Sequence, residues 1–280
     1  MWFEHPHIRQ LVELALAEDV GTGDHATLAT LDPAATGAAN VRAKSAAVLC
    51  GGPLFALVMA RVDPRIAVRQ LHPEGARVGP GDVVLHITGP LGSILTAERT
   101  ALNFLQRMSG VATLTRRYVD AVAGTGARIA DTRKTLPGFR SLDKYAVRTG
   151  GGANHRTALD AGILVKENHT HAAGSVAEAV RRARTVGSHL LRVEVEVETL
   201  DDLDVALAAG AEVVLLDNMD LDRLREAVRR TAGKALLEAS GNMTLERVRA
   251  VAETGVDLIS VGALTHSAVA ADLSLRLQGA

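Results

Sequence analysis

The chain has 280 residues, of which 47% are hydrophobic, 22% are charged and only 2% are aromatic. These proportions are ordinary for a soluble globular protein, and the scarcity of aromatic residues predicts a core of Ala, Val, Leu and Ile. The formal net charge is −1, so the chain has no overall positive field with which to hold a nucleic acid or an anionic membrane surface.

The first 110 residues have the pattern of a separate α+β sandwich domain. IRQLVELALAEDVG, residues 8–21, has the apolar spacing of an amphipathic helix. Residues 39–52 and 66–90 resemble antiparallel strands joined by Gly and Pro turns. Helical spacing returns in SILTAERTALNFLQRMSG, residues 93–110, which predicts a long helix leading out of this domain.

A different unit recurs from about Gly126 onward: a glycine, a short apolar strand, polar residues and then a helical stretch. Such alternation predicts parallel strands joined by crossover helices. A complete eight-stranded barrel needs ~250 residues, so we predict that residues 111–280 form an incomplete α/β barrel of six or seven strands. A doubly wound open sheet is the alternative, although no strand here leads into the G-x-G-x-x-G sequence of that fold.

Two local signals mark the ends of the predicted barrel helices. Thr199 lies three residues before Asp202, as at a helix start where a short oxygen-bearing side chain accepts free backbone N–H groups. Four glycines lie where helices would end in a left-handed residue: Gly187, Gly210, Gly233 and Gly255.

Polar and charged residues follow strand after strand of the predicted barrel. In parallel α/β folds the functional site lies at the carboxyl ends of the strands. His155 and Arg156 also follow a glycine run between the first two strands. The residues at the strand ends are Thr132, Arg133 and Lys134, then Lys166, Glu196 and Asp217, then Ser240, Gly241 and Asn242, and last Val261, Gly262 and Ala263.

These residue types predict a site for anions. Arg133 and Arg156 have planar guanidinium groups that suit carboxylates or phosphates, and the lysines add compact charges that would repel one another without an anionic ligand. Glu196 and Asp217 offer hard oxygen ligands for Mg²⁺ or for sugar hydroxyls. Glycine-containing turns after the last two strands of a barrel often hold phosphate on backbone N–H groups. We therefore expect a phosphorylated sugar, a divalent ion and a second acidic ligand.

The stretch RVEVEVE allows two structures. In a half-exposed antiparallel strand, Glu194, Glu196 and Glu198 would all face water. In a barrel, the valines would pack against helices and the carboxylates would face the cations.

Cysteine usage and the N-terminal sequence predict a cytoplasmic protein. Cys50 is the only cysteine, so an intrachain disulfide is impossible and a reducing compartment is expected. The sequence MWFEHPHIRQ lacks the regions of a signal peptide. The longest uncharged run, residues 46–60, is shorter than the ~20 residues that cross a bilayer.

Long ordered motifs resemble the quinolinate phosphoribosyltransferase family, which includes the carboxylating nicotinate-nucleotide pyrophosphorylases. Two departures are GDHAT, where the family commonly has a second Thr, and Asn242, where Gly is common. The resemblance covers nearly the whole chain and rests on LAEDVGTGD, TAERTALNFLQRMSGVAT, DTRKTLPGFRSLDKYAVRTGGGANHRTALDAGILVKENH, VEVEVETLDDLDVALAAGAEVVLLDN, EASGN and GVDLISVGALTHS.

The resemblance implies that quinolinate and phosphoribosyl pyrophosphate react, with Mg²⁺, to give nicotinate mononucleotide, pyrophosphate and CO₂. Lys134, Lys166, Glu196 and Asp217 would be the catalytic residues. Quinolinate would be clamped by Arg99, Arg133, His155, Arg156 and Lys166.

The other roles follow from the same resemblance. Lys134 would face phosphoribosyl pyrophosphate, with Thr132 beside it, while Glu196 and Asp217 would face the ribose hydroxyls and Mg²⁺, directly or indirectly. The 5′-phosphate would lie on Ser240–Asn242 and Val261–Ala263. The expected assembly is a homodimer, or a higher oligomer of dimers, in which Arg99 serves the neighbouring subunit.

Two other functions compete with this one. A relative encoded in molybdenum operons shares the fold and acts on a different substrate. A non-catalytic sensor of sugar phosphates would relax the groups needed only in the transition state, and this chain retains both Glu196 and Asp217.

Overall fold

The computed structural model describes Phe3 and residues 5–279, and it divides into two compact units. The first unit takes the described residues up to Leu114, then Pro137–Gly151, and then those from Ala268 onward. The second takes Thr115–Leu136 and Gly152–Ser267. The predicted domains were continuous stretches on either side of residue 110, whereas the first compact unit also includes two later segments.

The helices and strands alternate along the described chain. The helices are α1 Pro6–Val20, α2 His25–Thr30, α3 Gly52–Val62, α4 Leu91–Ala121, α5 Arg140–Thr149, α6 Glu167–Ala173, α7 Val176–Val186, α8 Leu200–Ala208, α9 Leu221–Thr231, α10 Leu245–Ala252 and α11 Ala263–His266. The strands are β1 Thr36–Ala43, β2 Ala47–Val48, β3 Ala67–Gln70, β4 Arg77–Val78, β5 Val83–Pro90, β6 Arg128–Ala130, β7 Ile163–Val165, β8 Val193–Val197, β9 Val213–Asp217, β10 Leu236–Ser240, β11 Leu258–Ser260 and β12 Leu273–Leu277.

The first unit contains a four-stranded antiparallel sheet in the order β12-β1-β5-β3 and a small β2-β4 pair. The predicted antiparallel strands are confirmed, while the pairing of β12 with β1 was not predicted. The helix α4 has 31 residues and continues beyond the predicted end at Gly110. Gly110 lies inside the helix because the backbone of Val269 and Ala270 approaches it too closely for a side chain.

Buried polar contacts hold α5 within the first unit. Asp143 is fully buried and accepts a hydrogen bond of 3.1 Å from Nη2 of Arg107 on α4. The Tyr145 hydroxyl donates to Glu74 at 3.1 Å, and Lys144 is only 4% exposed. The chain between β6 and β7 therefore contributes a helix to the other unit.

The second unit contains six parallel strands in the order β6-β11-β10-β9-β8-β7. This confirms the prediction of an incomplete α/β barrel and fixes the number of strands at six. The edge strands β6 and β7 are neighbours in the chain, and beside β6 the described chain forms an isolated parallel bridge between Ala130 and Ala153.

Pairing of β8 with β7 and β9 decides between the two structures considered for RVEVEVE. Val193, Val195 and Val197 are buried, as is Glu194, while Glu196 is partly buried and Glu198 is exposed. The fully solvated antiparallel strand is therefore excluded, since β8 is an inner strand of a parallel sheet.

The predicted helix-end signals are confirmed except at one glycine. The Thr199 hydroxyl accepts the N–H of Asp202 at 3.1 Å, and Gly210, Gly233 and Gly255 have left-handed φ values. Gly187 has φ −69°, so the prediction is wrong there. A Cβ at this glycine would lie 2.5 Å from the Ile163 Cδ1 and 3.1 Å from the Ala183 carbonyl oxygen, so close packing explains it better than backbone conformation.

None of the helices within Phe3 and residues 5–279 has the length and apolar character needed to cross a membrane.

Candidate active site

The parallel register brings the strand ends of the second unit to one edge. Ser240 at the end of β10 pairs with Asp217 at the end of β9, and Ser260 on β11 pairs with Ala130 on β6. Residues that are up to 130 positions apart in the chain therefore follow neighbouring strands, which was the basis of the sequence prediction.

The loop after β6 is tied to the loop after β11. The Thr265 hydroxyl donates to the carbonyl oxygen of Lys134 at 2.8 Å, and the Thr132 hydroxyl accepts the Lys134 N–H at 3.0 Å. A Cβ on Gly262 would lie 3.1 Å from Cδ of Lys134. The exposed Lys134 side chain thus passes directly over Gly262, in the predicted phosphate segment Val261–Ala263.

The loops after β9 and β10 are also joined. The Asn218 N–H donates to the Ser240 carbonyl at 3.1 Å, and Nδ2 of Asn218 donates to Oδ2 of Asp217 at 2.7 Å. Gly241 and Asn242 have left-handed φ values of 95° and 46°. Asn is among the few non-glycine residues that tolerate this region, which explains how Asn242 replaces the glycine common in the family.

Lys166 and Glu196 follow neighbouring strands and form an ion pair. The Lys166 Nζ lies 3.7 Å from Oε2 of Glu196, and the lysine side chain is 52% exposed. At this exposure the pair contributes little to stability, so the lysine charge is available to a ligand.

Two arginines lie close together with their Nε–H groups buried and without a hydrogen-bond partner among the described residues. These are Arg133 and Arg156. Burial, together with the charge of Arg133, lowers the pKa of Arg156, and Glu194 partly offsets this. Because unpaired buried donors are costly, this pair is prepared for an anion that accepts from both.

A buried polar cluster fixes the segment that carries Arg156. The fully buried Asp131 accepts the His155 N–H at 2.8 Å and an Asn154 Nδ2 hydrogen at 2.7 Å. The His155 ring lies with Nε2 at 2.9 Å from Oε2 of Glu194, and its Nδ1 accepts the Arg156 N–H at 2.8 Å. Both ring nitrogens are therefore engaged within the protein.

His155, Glu194 and Glu238 place ligand atoms within 4.8 Å of one another, as a divalent cation would require. The tautomer argues against a cation here. Because Nδ1 accepts a backbone hydrogen, the ring proton is on Nε2, the atom that would have to coordinate the metal. We therefore interpret the cluster as a hydrogen-bonded network.

A cavity of about 440 Å³ opens at the amino ends of the strands, and its lining includes His155, Glu194 and Glu238. The lysines and the glycine-containing turns are at the opposite ends of the strands. Arg156 also lines the cavity, but a substrate held at the amino ends of the strands would not reach those lysines and turns.

Arg99 lies on α4 in the first unit and is exposed to solvent. The other predicted residues all belong to the second unit, and except for His155 and Arg156 they lie at or just after the ends of neighbouring strands.

Three buried acids lie beneath the site: Asp131, Glu194 and Glu238. Glu194 was expected to face the cations in a barrel, and Asp131 opens the polar run after the first barrel strand, whereas Glu238 was not predicted. Glu238 had a detectable signal, since LLEAS places one acid inside an otherwise apolar strand.

Comparison with known families decides the identity of the fold. The profile "Quinolinate phosphoribosyl transferase, C-terminal domain" matches residues 111–276, and the profile of the N-terminal domain matches residues 24–109. The chain belongs to the quinolinate phosphoribosyl transferase family.

Individual members of the family are similar to this chain over nearly their full lengths. A probable nicotinate-nucleotide pyrophosphorylase (carboxylating) from Bacillus subtilis is 39% identical, covering 97% of this chain and 93% of that protein. The enzyme of that name from Mycobacterium leprae is 43% identical, covering 96% of each. The structure of the nicotinate-nucleotide pyrophosphorylase from Francisella tularensis matches with a TM-score of 0.92 at 41% identity, covering 97% of this chain and 96% of that one.

The buried Glu238 of this family member predicts a pH-dependent stability. Burial and the neighbouring Glu194 raise the pKa of Glu238 from its ordinary 4.5 to about 7. The unfolded chain therefore loses this proton at lower pH than the folded chain, so the folded state becomes progressively less stable as pH rises from 4.5 through 7. Glu238→Gln removes this pH-dependent loss. The free energy of unfolding of the variant, minus that of wild type, should therefore increase by about 1–3 kcal/mol between pH 5 and pH 8.

Urea denaturation at each pH measures the free energy of unfolding of the variant and of wild type. Glu198→Gln is the control, because Glu198 is exposed and follows β8. If the difference in free energy of unfolding between Glu238→Gln and wild type does not change with pH, Glu238 titrates in its ordinary range.

Proposed function

We propose that this chain transfers a phosphoribosyl group from phosphoribosyl pyrophosphate to quinolinate and releases CO₂, giving nicotinate mononucleotide and pyrophosphate. The observation that carries the proposal is the pair Arg133 and Arg156, whose buried Nε–H groups lack partners among the described residues. Quinolinate has two carboxylates on adjacent ring carbons, and relatives over 38% identical are named for the reaction that consumes it.

Quinolinate would lie between the two arginines and Lys166. Each planar guanidinium can donate two parallel hydrogen bonds to a carboxylate, and burial strengthens the attraction. Lys166 is held by Glu196 at 3.7 Å and adds a third positive charge from the neighbouring strand end. This clamp fixes the ring nitrogen in one place, so that it can attack the sugar.

Phosphoribosyl pyrophosphate would lie across the loops after β6, β9, β10 and β11. Lys134 would face the pyrophosphate, while Ser240–Asn242 and Val261–Ala263 would offer backbone N–H groups to the 5′-phosphate. The left-handed turn at Gly241 and Asn242 and the passage of Lys134 over Gly262 fit this arrangement.

Glu196 and Asp217 are the residues that would hold Mg²⁺, directly or through water, since their carboxylate oxygens are hard ligands on paired strands. The ion would supply positive charge to the leaving pyrophosphate. The same carboxylates would stabilise the positive charge that develops on the ribose as pyrophosphate leaves.

Carbon–nitrogen bond formation prepares the loss of CO₂. The ring nitrogen attacks the sugar carbon and becomes positively charged. When the adjacent carboxylate leaves as CO₂, its bonding electrons stay on the ring carbon next to that nitrogen, which then takes a proton. Release of the carboxylate also removes one partner of the arginines and so favours departure of the product.

We also propose that the protein acts in the cytoplasm as a homodimer, or as a higher oligomer of dimers. A single buried cysteine supports a reducing compartment. The exposure of Arg99 on α4 supports a role for this cation in a neighbouring subunit.

The proposal predicts strict substrate requirements. CO₂ release from quinolinate labelled in the carboxylate next to the ring nitrogen should need both phosphoribosyl pyrophosphate and Mg²⁺, and chelation should abolish it. Nicotinate lacks the carboxylate next to the ring nitrogen and leaves buried cations unpaired, a penalty of roughly 2–5 kcal/mol. Its kcat/KM should therefore be lower by at least about 30-fold, and similar values for the two acids would exclude quinolinate as the substrate.

Substitution of Lys134 should reduce activity without reducing stability, whereas substitution of Lys144 should reduce stability. Lys134→Ala should lower kcat/KM by about 100-fold or more while the melting temperature stays unchanged, since the side chain is exposed and its charge serves the ligand. Lys144→Ala should lower stability by roughly 2 kcal/mol or more, because Lys144 is buried on α5. Thermal melting and steady-state rates on each variant give both numbers. An early-melting Lys134→Ala with normal activity per folded molecule would make Lys134 structural.

Mixed dimers test the shared site. Arg99→Ala and Lys166→Ala are each expected to be inactive. After the two are denatured and refolded together, about half the dimers are mixed, and in each the barrel with intact Lys166 receives intact Arg99 from the other chain. Roughly a quarter of wild-type activity should return. If mixed dimers form and no activity returns, Arg99 acts within its own chain.

A further inference from the structure

We propose that Glu194 is a positioning residue that acts through His155 to hold Arg156 in place for a substrate carboxylate. This inference rests on the proposed function and assigns His155 a different part in it. His155 was predicted to contact quinolinate itself, whereas its ring nitrogens are already engaged within the protein.

The hydrogen bonds run in one direction, since each is donated toward the buried acid: from the Arg156 N–H to the His155 ring, and from the ring to Glu194. Oε2 of Glu194 accepts from Nε2 of His155 at 2.9 Å. With its proton on Nε2, the ring presents Nδ1 as an acceptor, and the Arg156 N–H fills it at 2.8 Å. The carboxylate therefore selects the tautomer that can fix the arginine backbone.

The remaining bonds of this segment complete the support. Asp131 accepts the His155 N–H at 2.8 Å, which fixes the backbone on the other side of the ring. Nη1 of Arg156 donates to the Gly162 carbonyl at 3.0 Å, so one arm of the guanidinium is also held. The buried Nε–H is left over for a ligand.

Because Glu194 and His155 are largely shielded from water, the hydrogen bond between them depends strongly on the negative charge of Glu194. Glu194 is 8% exposed and the His155 side chain is 14% exposed, so water screens the bond weakly. The negative charge lies near Arg156 and partly offsets the repulsion between that residue and Arg133. Loss of the charge should weaken the binding of quinolinate and leave the sugar side of the site alone.

Glu194→Gln is the main test variant, since it keeps the size of the side chain and removes its charge. The KM for quinolinate should rise roughly tenfold, about the value of one charge-assisted hydrogen bond. The kcat and the KM for phosphoribosyl pyrophosphate should stay within about twofold, because Lys134 and the phosphate loops are untouched. Glu198→Gln, an exposed glutamate just after β8, should match wild type in all three.

A double-mutant cycle tests whether the effect passes through His155. His155→Ala alone should also raise the KM for quinolinate. Adding Glu194→Gln to it should raise that KM by no more than about threefold, well below the roughly tenfold effect in the wild-type background, since only the direct attraction between Glu194 and Arg156 is then lost. A general loss of packing would instead give multiplying effects and would lower kcat as well, and that result overturns the proposal.

Two further outcomes are decisive. A stoichiometric divalent metal in the purified protein that Glu194→Gln removes, measured by elemental analysis, would overturn the hydrogen-bonded network in favour of a metal centre. If Glu194→Gln does not fold, Glu194→Asp replaces it with the same expectation, because its shorter side chain withdraws the carboxylate from Nε2.

Wild-type turnover separates this inference from the proposed function. Failure of wild type to release CO₂ from quinolinate contradicts the function. Normal wild-type turnover with an unchanged quinolinate KM in Glu194→Gln contradicts only the positioning role.

Discussion

The parallel alignment of six strands is the constraint on which the site depends. Each strand begins and ends at the same edges of the sheet as its neighbours, so side chains from residues 131 to 263 meet although the chain between them is long. The loops are then joined pairwise, through Thr265 to the Lys134 carbonyl and through Asn218 to the Ser240 carbonyl. Hydrogen bonds between neighbouring loops thus hold the site residues that the sheet brings together.

The cations at the carboxyl ends of the strands repel one another, and the buried acids beneath them reduce this repulsion. Arg133 and Arg156 are partly buried and lie close enough for the charge of Arg133 to lower the pKa of Arg156, so they repel one another in the absence of a ligand. Glu194 and Asp131 place negative charge below them. The raised pKa of Glu238 marks the limit of this compensation, because a third buried acid next to Glu194 is stabilised in its neutral form.

Much of the barrel could be predicted from sequence, because glycines and polar residues mark where each short apolar strand ends. The return of β12 to β1 and the capture of α5 by the first unit could not, since pairing between distant segments leaves no local periodicity. Gly110 was misread as a helix end for a similar reason: the approach of Val269 that requires it is 159 residues away in the chain. The cations were found by position, but the partners of His155 were not, because no sequence pattern states where a ring nitrogen points.

Asn242 shows which part of the loop after β10 is under constraint. The family commonly has glycine there, yet the backbone of this chain still adopts a left-handed φ of 46° after Gly241 at 95°. Gly241 cannot change in the same way, since a Cβ would lie 2.9 Å from the Asn218 nitrogen that donates to the Ser240 carbonyl. The turn therefore needs one true glycine for space and one residue that tolerates a left-handed backbone. What the two positions share is a left-handed backbone, and successive N–H groups in such a turn are the groups that a bound phosphate would use.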